Sequence, residues 1–195
     1  MMQVDFANRY IGGGVLSHGS VQEEIRFITC PEMIVACLVC EVMRENESIR
    51  IIGAETYSNY VGYGETFKWM RRPKQIETAR DEFGRYKCEL VAIDAIRYPN
   101  PYAQYRFARI KREITKAYSG FSIRTSPNER LTIATGNWGC GVFNGDRQLK
   151  SMIQYLAASR AKRNLVYFTF GDKNFANMLN QIVFSLRANH VTIGE

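Results

Sequence analysis

Residues 88–96 read CELVAIDAI. A short apolar run of this kind, with charged sequence before it and Arg97-Tyr98-Pro99 after it, describes a strand buried at the centre of a sheet. Downstream, Tyr102–Tyr118 follows helical spacing, with a basic side that includes Arg106, Arg109, Lys111 and Arg112. That face, extended to Lys116, reads as a solvated helix surface. Leu131–Thr135 is a short strand, Asp146–Arg163 a helix and Leu165–Phe170 a strand. Asp172–Asn189 is a helix capped by Asp172, and His190–Ile193 begins a further strand. Upstream, Ile49–Ala54 reads as a buried strand, Tyr57–Tyr63 as a tyrosine-rich loop and Lys68–Lys87 as an exposed charged insertion with some local helix. Pro31 fits the first position of a helix running to Val42. Strands alternating with helices predict an α/β layered fold around a largely parallel or mixed sheet. The 195 residues fit a single domain.

Composition narrows the functional classes. Lys and Arg total 26 against 19 Asp and Glu, a net charge of +7 that favours anionic partners. Five cysteines form no paired framework and indicate a reducing compartment. Cys37 and Cys40 make a lone C-x-x-C on an apolar helical pattern, which favours core packing over zinc. The sequence has no signal peptide and no apolar run long enough to span a membrane, so an intracellular protein is expected. Ser17-His18 lacks a third catalytic member and reads as loop.

Two glycine-rich stretches follow predicted strands. The first is Gly12-Gly13-Gly14, after Met2–Ala7; the second runs from Gly136 through Asn137, Trp138, Gly139, Cys140 and Gly141 to Gly145, after Leu131–Thr135. Loops at the carboxyl ends of strands carry ligands in open α/β sheets, and glycine backbone before a helix cradles phosphate. Trp138, Phe143 and the tyrosine loop supply aromatics that could stack a base. Structural glycine turns remain the alternative. No G-x-x-x-x-G-K-[ST] motif supports a P-loop nucleotidase.

The first stretch leads to Ser20-Val21-Gln22-Glu23-Glu24, where Ser20 as N-cap with Glu23 makes an S-x-x-E capping box and a helix starts near Val21. Adjacent glutamates at a helix start serve as capping and dipole partners or as functional acids, and spacing alone leaves both open. On a helix they point about 100° apart, so they form no symmetric dyad. One can hold a substrate while the other faces the scissile bond. A glycosidic bond would use such a group, since its leaving oxygen needs a proton and its oxocarbenium a nearby anion.

The series VDFANRYIGGG, VQEEIRF, YSNYVGYGET, ATGNWGCGVFNGD and VYFTFGD resembles the catalytic region of the poly(ADP-ribose) glycohydrolase family, whose signature is three glycines, a short spacer and QEE. Here Val15–Val21 is the spacer, and the resemblance runs from Met1 to the last strand. It implies a macrodomain-like three-layer α/β/α sandwich with a mixed, largely parallel sheet. It implies hydrolysis of the ribose–ribose O-glycosidic bonds of poly(ADP-ribose), with ADP-ribose as product. Glu24 would be the catalytic acid/base. Glu23 and Asn8 would hold ribose hydroxyls, with Asp5 supporting their loop alongside Gly12, Gly13, Gly14 and Gln22. The Gly139-Cys140-Gly141 amides, next to Asn137, would embrace the diphosphate. Phe143 would lie against the ribose, and Tyr63 and Phe170 would hold the adenosine. No metal or cofactor, no membrane and no sequence-specific nucleic-acid binding is implied, and the site of action is nuclear or cytoplasmic. The family carries a helical accessory region before the first motif, so with Met1-Met2-Gln3 directly before VDFAN the chain is expected to be a truncated form. A non-catalytic ADP-ribose-binding macrodomain, or an inactive isoform, is the alternative.

Overall fold

The computed structural model describes residues 1–71, 79–122 and 131–193. Its centre is a five-stranded sheet in the order β2-β5-β1-β6-β7, where β1 is Met2–Ala7, β2 Ile49–Ile52, β5 Glu89–Asp94, β6 Ile133–Thr135 and β7 Leu165–Tyr167. Only β2 runs antiparallel to its neighbour. The run that opened the sequence reading is therefore β5, between β2 and β1. All six of its residues are buried, as a strand covered on both faces requires.

Side chains of β5 alternate between two cores. Val91 and Ile93 join Val4, Ile133, Trp138 and residues of α3 (Phe107–Ser122) and α4 (Arg147–Arg160) on one face. Leu90 and Ala92 join Phe27, Cys30 and Met33 on the other, under α1 (Gln22–Thr29), a 3-10 turn at Pro31–Val35 and α2 (Ala36–Val39). These are the three layers. α5 (Lys173–Ala188) follows β7 and is capped by Asp172, whose carboxylate accepts from Phe175 N at 3.0 Å. No helix among the described residues is long and apolar enough to cross a membrane.

Several expectations are corrected. The helix begun at Pro31 reaches Val39, not Val42, and its first turn is 3-10. Tyr57–Tyr63 contains a strand, β3 (Asn59–Val61), paired with β4 (Lys68–Met70). Cross-strand hydrogen bonding there took residues that composition assigned to loop and insertion. The local helix expected within 68–87 has no counterpart among the described residues 68–71 and 79–87, and the rest of that stretch lies outside them. β2 is half-buried at a sheet edge. His190–Ile193 forms no strand; His190 has φ 52° and closes the end of α5. The supposed solvated face of α3 also fails in part. Lys116 is fully buried, and Arg112 is held between Asp94 and Glu113 at 2.6 and 2.7 Å.

Candidate active site

β1 ends at Ala7 and the chain folds back over its own carboxyl edge. Asn8 Oδ1 accepts from Tyr10 N at 3.0 Å, an Asx turn that starts the reversal. Gly12 and Gly13 follow at φ 90° and 53°. Their need for glycine is steric as well. A Cβ on Gly13 would meet Glu24 Oε1 at 2.5 Å and Glu23 Oε2 at 2.7 Å; one on Gly12 would strike Cys37 Sγ; one on Gly19 would meet Glu24 Cγ at 2.5 Å. The loop is wrapped around two carboxylates too closely for any side chain.

Glu23 and Glu24 are 3% and 7% exposed although both open a helix. Backbone N–H groups replace the lost water. Glu23 accepts from Asn8 N and Gly12 N, each at 2.7 Å. Glu24 accepts from Gly14 N at 2.9 Å and from Val21 N at 3.1 Å. The expected Ser20–Glu23 capping box is thus displaced by one residue: Val21 is the N-cap, and Glu24 at N3 reaches back to its amide. Glu23 is spent on the loop instead. Gln22 is committed too, its amide accepting from Phe6 N at 2.8 Å and donating to Val4 O at 3.0 Å. Among the described residues those groups of β1 have no strand opposite, because β1 pairs with β6 at Met2 and Gln3 and no further. The Gln22 side chain continues the ladder and locks α1 to β1.

Asp5 lies beneath this pair with both carboxyl oxygens buried and, among the described residues, without a hydrogen-bond partner. Burial raises it to about 8, against the pull of the Arg26 guanidinium. Burial and the facing Asp5 raise Glu23 to about 9, although the Asn8 and Gly12 amides act the other way. The two carboxyls together retain at least one proton at neutral pH. Among the described residues Asp5 receives no N–H donor and Glu23 two, so Asp5 is the better holder of it.

The second glycine loop leaves β6, the parallel neighbour of β1, and so emerges from the same sheet edge. Asn137 Oδ1 accepts from Tyr167 Oη at 3.0 Å, which ties the loop to β7. Cys140 N donates to Asn137 O and Gly145 N to Gly139 O, closing a compact turn. Among the described residues, the amides of Gly141, Val142 and Phe143 donate to no protein acceptor. A Cβ on Gly141 would meet nothing within 4 Å. Three successive N–H groups are therefore left without a protein partner, on a stretch whose first two residues are exposed. Burial pushes the Cys140 thiol up to about 11, so it stays protonated. Phe143 is half-buried against the α3–α4 core. Trp138 is not a stacking platform: it is fully buried and its Nε1 donates to Ile93 O at 2.9 Å.

The outlying aromatics frame these loops. Tyr63 is 56% exposed, and its hydroxyl accepts from Gln22 N at 3.2 Å, placing the ring at the start of α1. Phe170, at φ 54° and 71% exposed, lays its ring edge against Gly136, where a Cβ would meet it at 2.8 Å.

Sequence reading missed a charged layer under the second loop. Lys150 pairs with Glu113, both fully buried, and its ammonium stands 3.4 Å from the Trp138 ring centroid. Asp94 meets Arg112 and Lys116, each at 2.6 Å. A signal was present: Lys150 shares a helical stripe with Ile153, Gln154 and Ala157, as Glu113 and Lys116 do with Ala117, Gly120 and Phe121.

A mixed, mostly parallel sheet between two helical layers, with glycine loops at its carboxyl edge, makes this a three-layer α/β sandwich protein. Residues 1–177 match the family described as "Poly (ADP-ribose) glycohydrolase (PARG), Macro domain fold". The chain belongs to that family. It is 45% identical over 202 residues to poly(ADP-ribose) glycohydrolase 1 of Caenorhabditis elegans, covering 98% of this chain and 26% of that protein. It is 40% identical to poly(ADP-ribose) glycohydrolase 2 of the same organism, covering 99% and 42%. It is 34% identical to the probable poly(ADP-ribose) glycohydrolase 2 of Arabidopsis thaliana, covering 100% and 44%. The chain thus spans between about a quarter and just under half the length of these relatives.

Proposed function

We propose that this chain hydrolyses the ribose–ribose O-glycosidic bond of poly(ADP-ribose) and releases ADP-ribose. The observation that carries the reading is the juxtaposition on one sheet edge of a buried glutamate pair inside a glycine loop with a second loop of three open amides. Glu24 is the acid/base. In its protonated form it gives its proton to the departing 2′ oxygen as the C1–O bond breaks, and the ribosyl centre becomes an oxocarbenium. The resulting carboxylate then takes a proton from a water molecule whose oxygen bonds to C1, which restores the starting acid. Glu23 and Asn8 orient the ribose, and protonated Asp5 keeps a second negative charge away from Glu23. Gly141, Val142 and Phe143 receive the diphosphate through their amides, with Gly139 and Cys140 shaping the turn. Tyr63 and Phe170 offer faces to the adenosine, and the net charge of +7 suits a polyanionic substrate.

A second reading has its own support. Each Glu24 oxygen already accepts one backbone amide, which favours the ionised carboxylate over the protonated acid that the first step needs. A chain in which Glu24 stays ionised would bind ADP-ribose without turnover. Incubation of purified protein with labelled poly(ADP-ribose), beside Glu24→Gln, separates the two. Release of ADP-ribose by wild type alone supports the hydrolase, whereas binding without release by both leaves only the binding module.

A further inference from the structure

The second glycine loop has a cation behind it. Lys150 sits in the first turn of α4, fully buried, with its aliphatic stem under Gly139 and Gly145. A Cβ on Gly139 would meet Lys150 Cε and Nζ at 3.1 Å, so the ammonium packs against the turn that carries the three unpartnered amides. On its far side are Glu113 and the Trp138 ring. Asp94 and Glu113 face Arg112, Lys116 and Lys150, two acidic side chains against three basic ones. Burial pulls both lysines below the ordinary lysine range, and the facing Asp94 and Glu113 carboxylates act the other way to hold their charge.

A buried charge acts through a medium of low polarity and is weakly screened by salt, so its field reaches the loop surface more fully than a surface lysine's would. From this placement we infer that Lys150 is a positioning residue that fixes positive potential under the Gly139–Phe143 turn, and that the Lys150–Glu113 pair tunes the grip of that turn on a diphosphate. The inference rests on the reading of this turn as the diphosphate site. Lys150 touches no ligand; it acts through the loop, as a fixed counter-charge that survives ionic strength. The bland alternative is that the pair only cross-links α3 and α4.

Two variants that break the same ion pair separate these roles. Lys150→Met keeps the stem over Trp138 and removes the charge. Glu113→Gln keeps an acceptor for Ile96 N, which Glu113 Oε1 now receives at 3.1 Å, and removes the opposing charge. Calorimetric titration at and below neutral pH with ADP-ribose, inorganic pyrophosphate and adenosine reads the result. Lys150→Met is expected to bind ADP-ribose and pyrophosphate about tenfold more weakly. Glu113→Gln is expected to bind them about threefold more tightly. Adenosine affinity should be unchanged in both. In turnover, Lys150→Met should raise KM at constant kcat, the mark of lost uniform binding. If both variants weaken the two phosphate ligands, or if adenosine binding falls in parallel, the pair is scaffold and the inference is overturned. Wild type that binds pyrophosphate but not ADP-ribose removes the proposed substrate and leaves this inference standing. Wild type that binds neither removes both.

Discussion

The two glycine loops are made by the same device and backed by opposite charge. Each leaves the carboxyl end of one of two neighbouring parallel strands, and each uses glycine because the backbone lies against something. In the first loop, that something is two carboxylates, which consume the amides of Asn8, Gly12, Gly14 and Val21. Beneath the second is an ammonium, and the amides of Gly141–Phe143 stay open. Glycine loops are often read as anion cradles, yet here only one is free to cradle a ligand. The other cradles part of its own chain. What decides the role is the charge beneath the backbone, because N–H groups already paired with a carboxylate have nothing left for a phosphate.

The contrast can be broken most severely at Glu24. Glu24→Gln should lower kcat by about a thousandfold, within the usual range for a general acid/base, while ADP-ribose affinity changes little. Steady-state release of ADP-ribose with a parallel binding isotherm checks both halves. Gly13→Ala should be nearly as damaging for a different reason. Its Cβ would enter both carboxylates at a positive φ, so about 2 kcal/mol of stability and about a hundredfold in kcat should be lost. Urea denaturation and turnover measure these. Gly141→Ala sharpens the comparison, since its Cβ enters open space above the amides. Stability should stay within about 0.5 kcal/mol, and only ligand affinity should fall, by about tenfold.

Asp5 provides a pH test. Its carboxyl is raised on folding from 3.8 to about 8, so the folded state holds a proton that the unfolded state releases. That contribution is full below the unfolded value and is lost as pH rises toward the folded one. Denaturant midpoints of wild type should therefore decline across that window, and those of Asp5→Asn should decline less. The smallest effect is expected from Tyr63→Phe. It removes an exposed acceptor for Gln22 N while keeping the ring, and about 0.5 kcal/mol of stability with a barely altered KM should result.

Periodicity made much of this architecture legible. The run at residues 88–96 announced a strand covered on both faces, and the alternation of elements gave the layered sheet. Its reach failed where hydrogen bonding overrode composition. Asn59–Val61 pairs with Lys68–Met70 despite tyrosine-rich and charged sequence, and His190 turns the chain where a strand was expected. At the candidate site, quoted motifs located both loops but not how their groups are used. Ser20 looked like the cap because capping statistics ignore which carboxylate the incoming loop will claim; Glu23 went to Asn8 and Gly12, leaving Glu24 to cap at Val21. Trp138 looked like a stacking surface, and burial sent it inward. The charges beneath α3 and α4 were hidden by the assumption that Lys and Arg face water, although Lys116 and Lys150 keep step with apolar neighbours on their helices.

Gln22 closes a gap in the sheet, and that has a consequence for how the chain can vary. One end of the segment between Gly14 and Gln22 is held by the glutamates, and the other is clipped to β1 at Val4 and Phe6. With both anchors set independently, the exposed tip at Leu16, Ser17 and His18 bears no part of the alignment between α1 and the sheet. Residues can be inserted or deleted at that tip without changing the height of Glu24 above Asp5. A single insertion between Gln22 and Glu24 would rotate Glu24 out of place relative to Gln22. Drift in length is thus absorbed by the tip and forbidden in Gln22, Glu23 and Glu24.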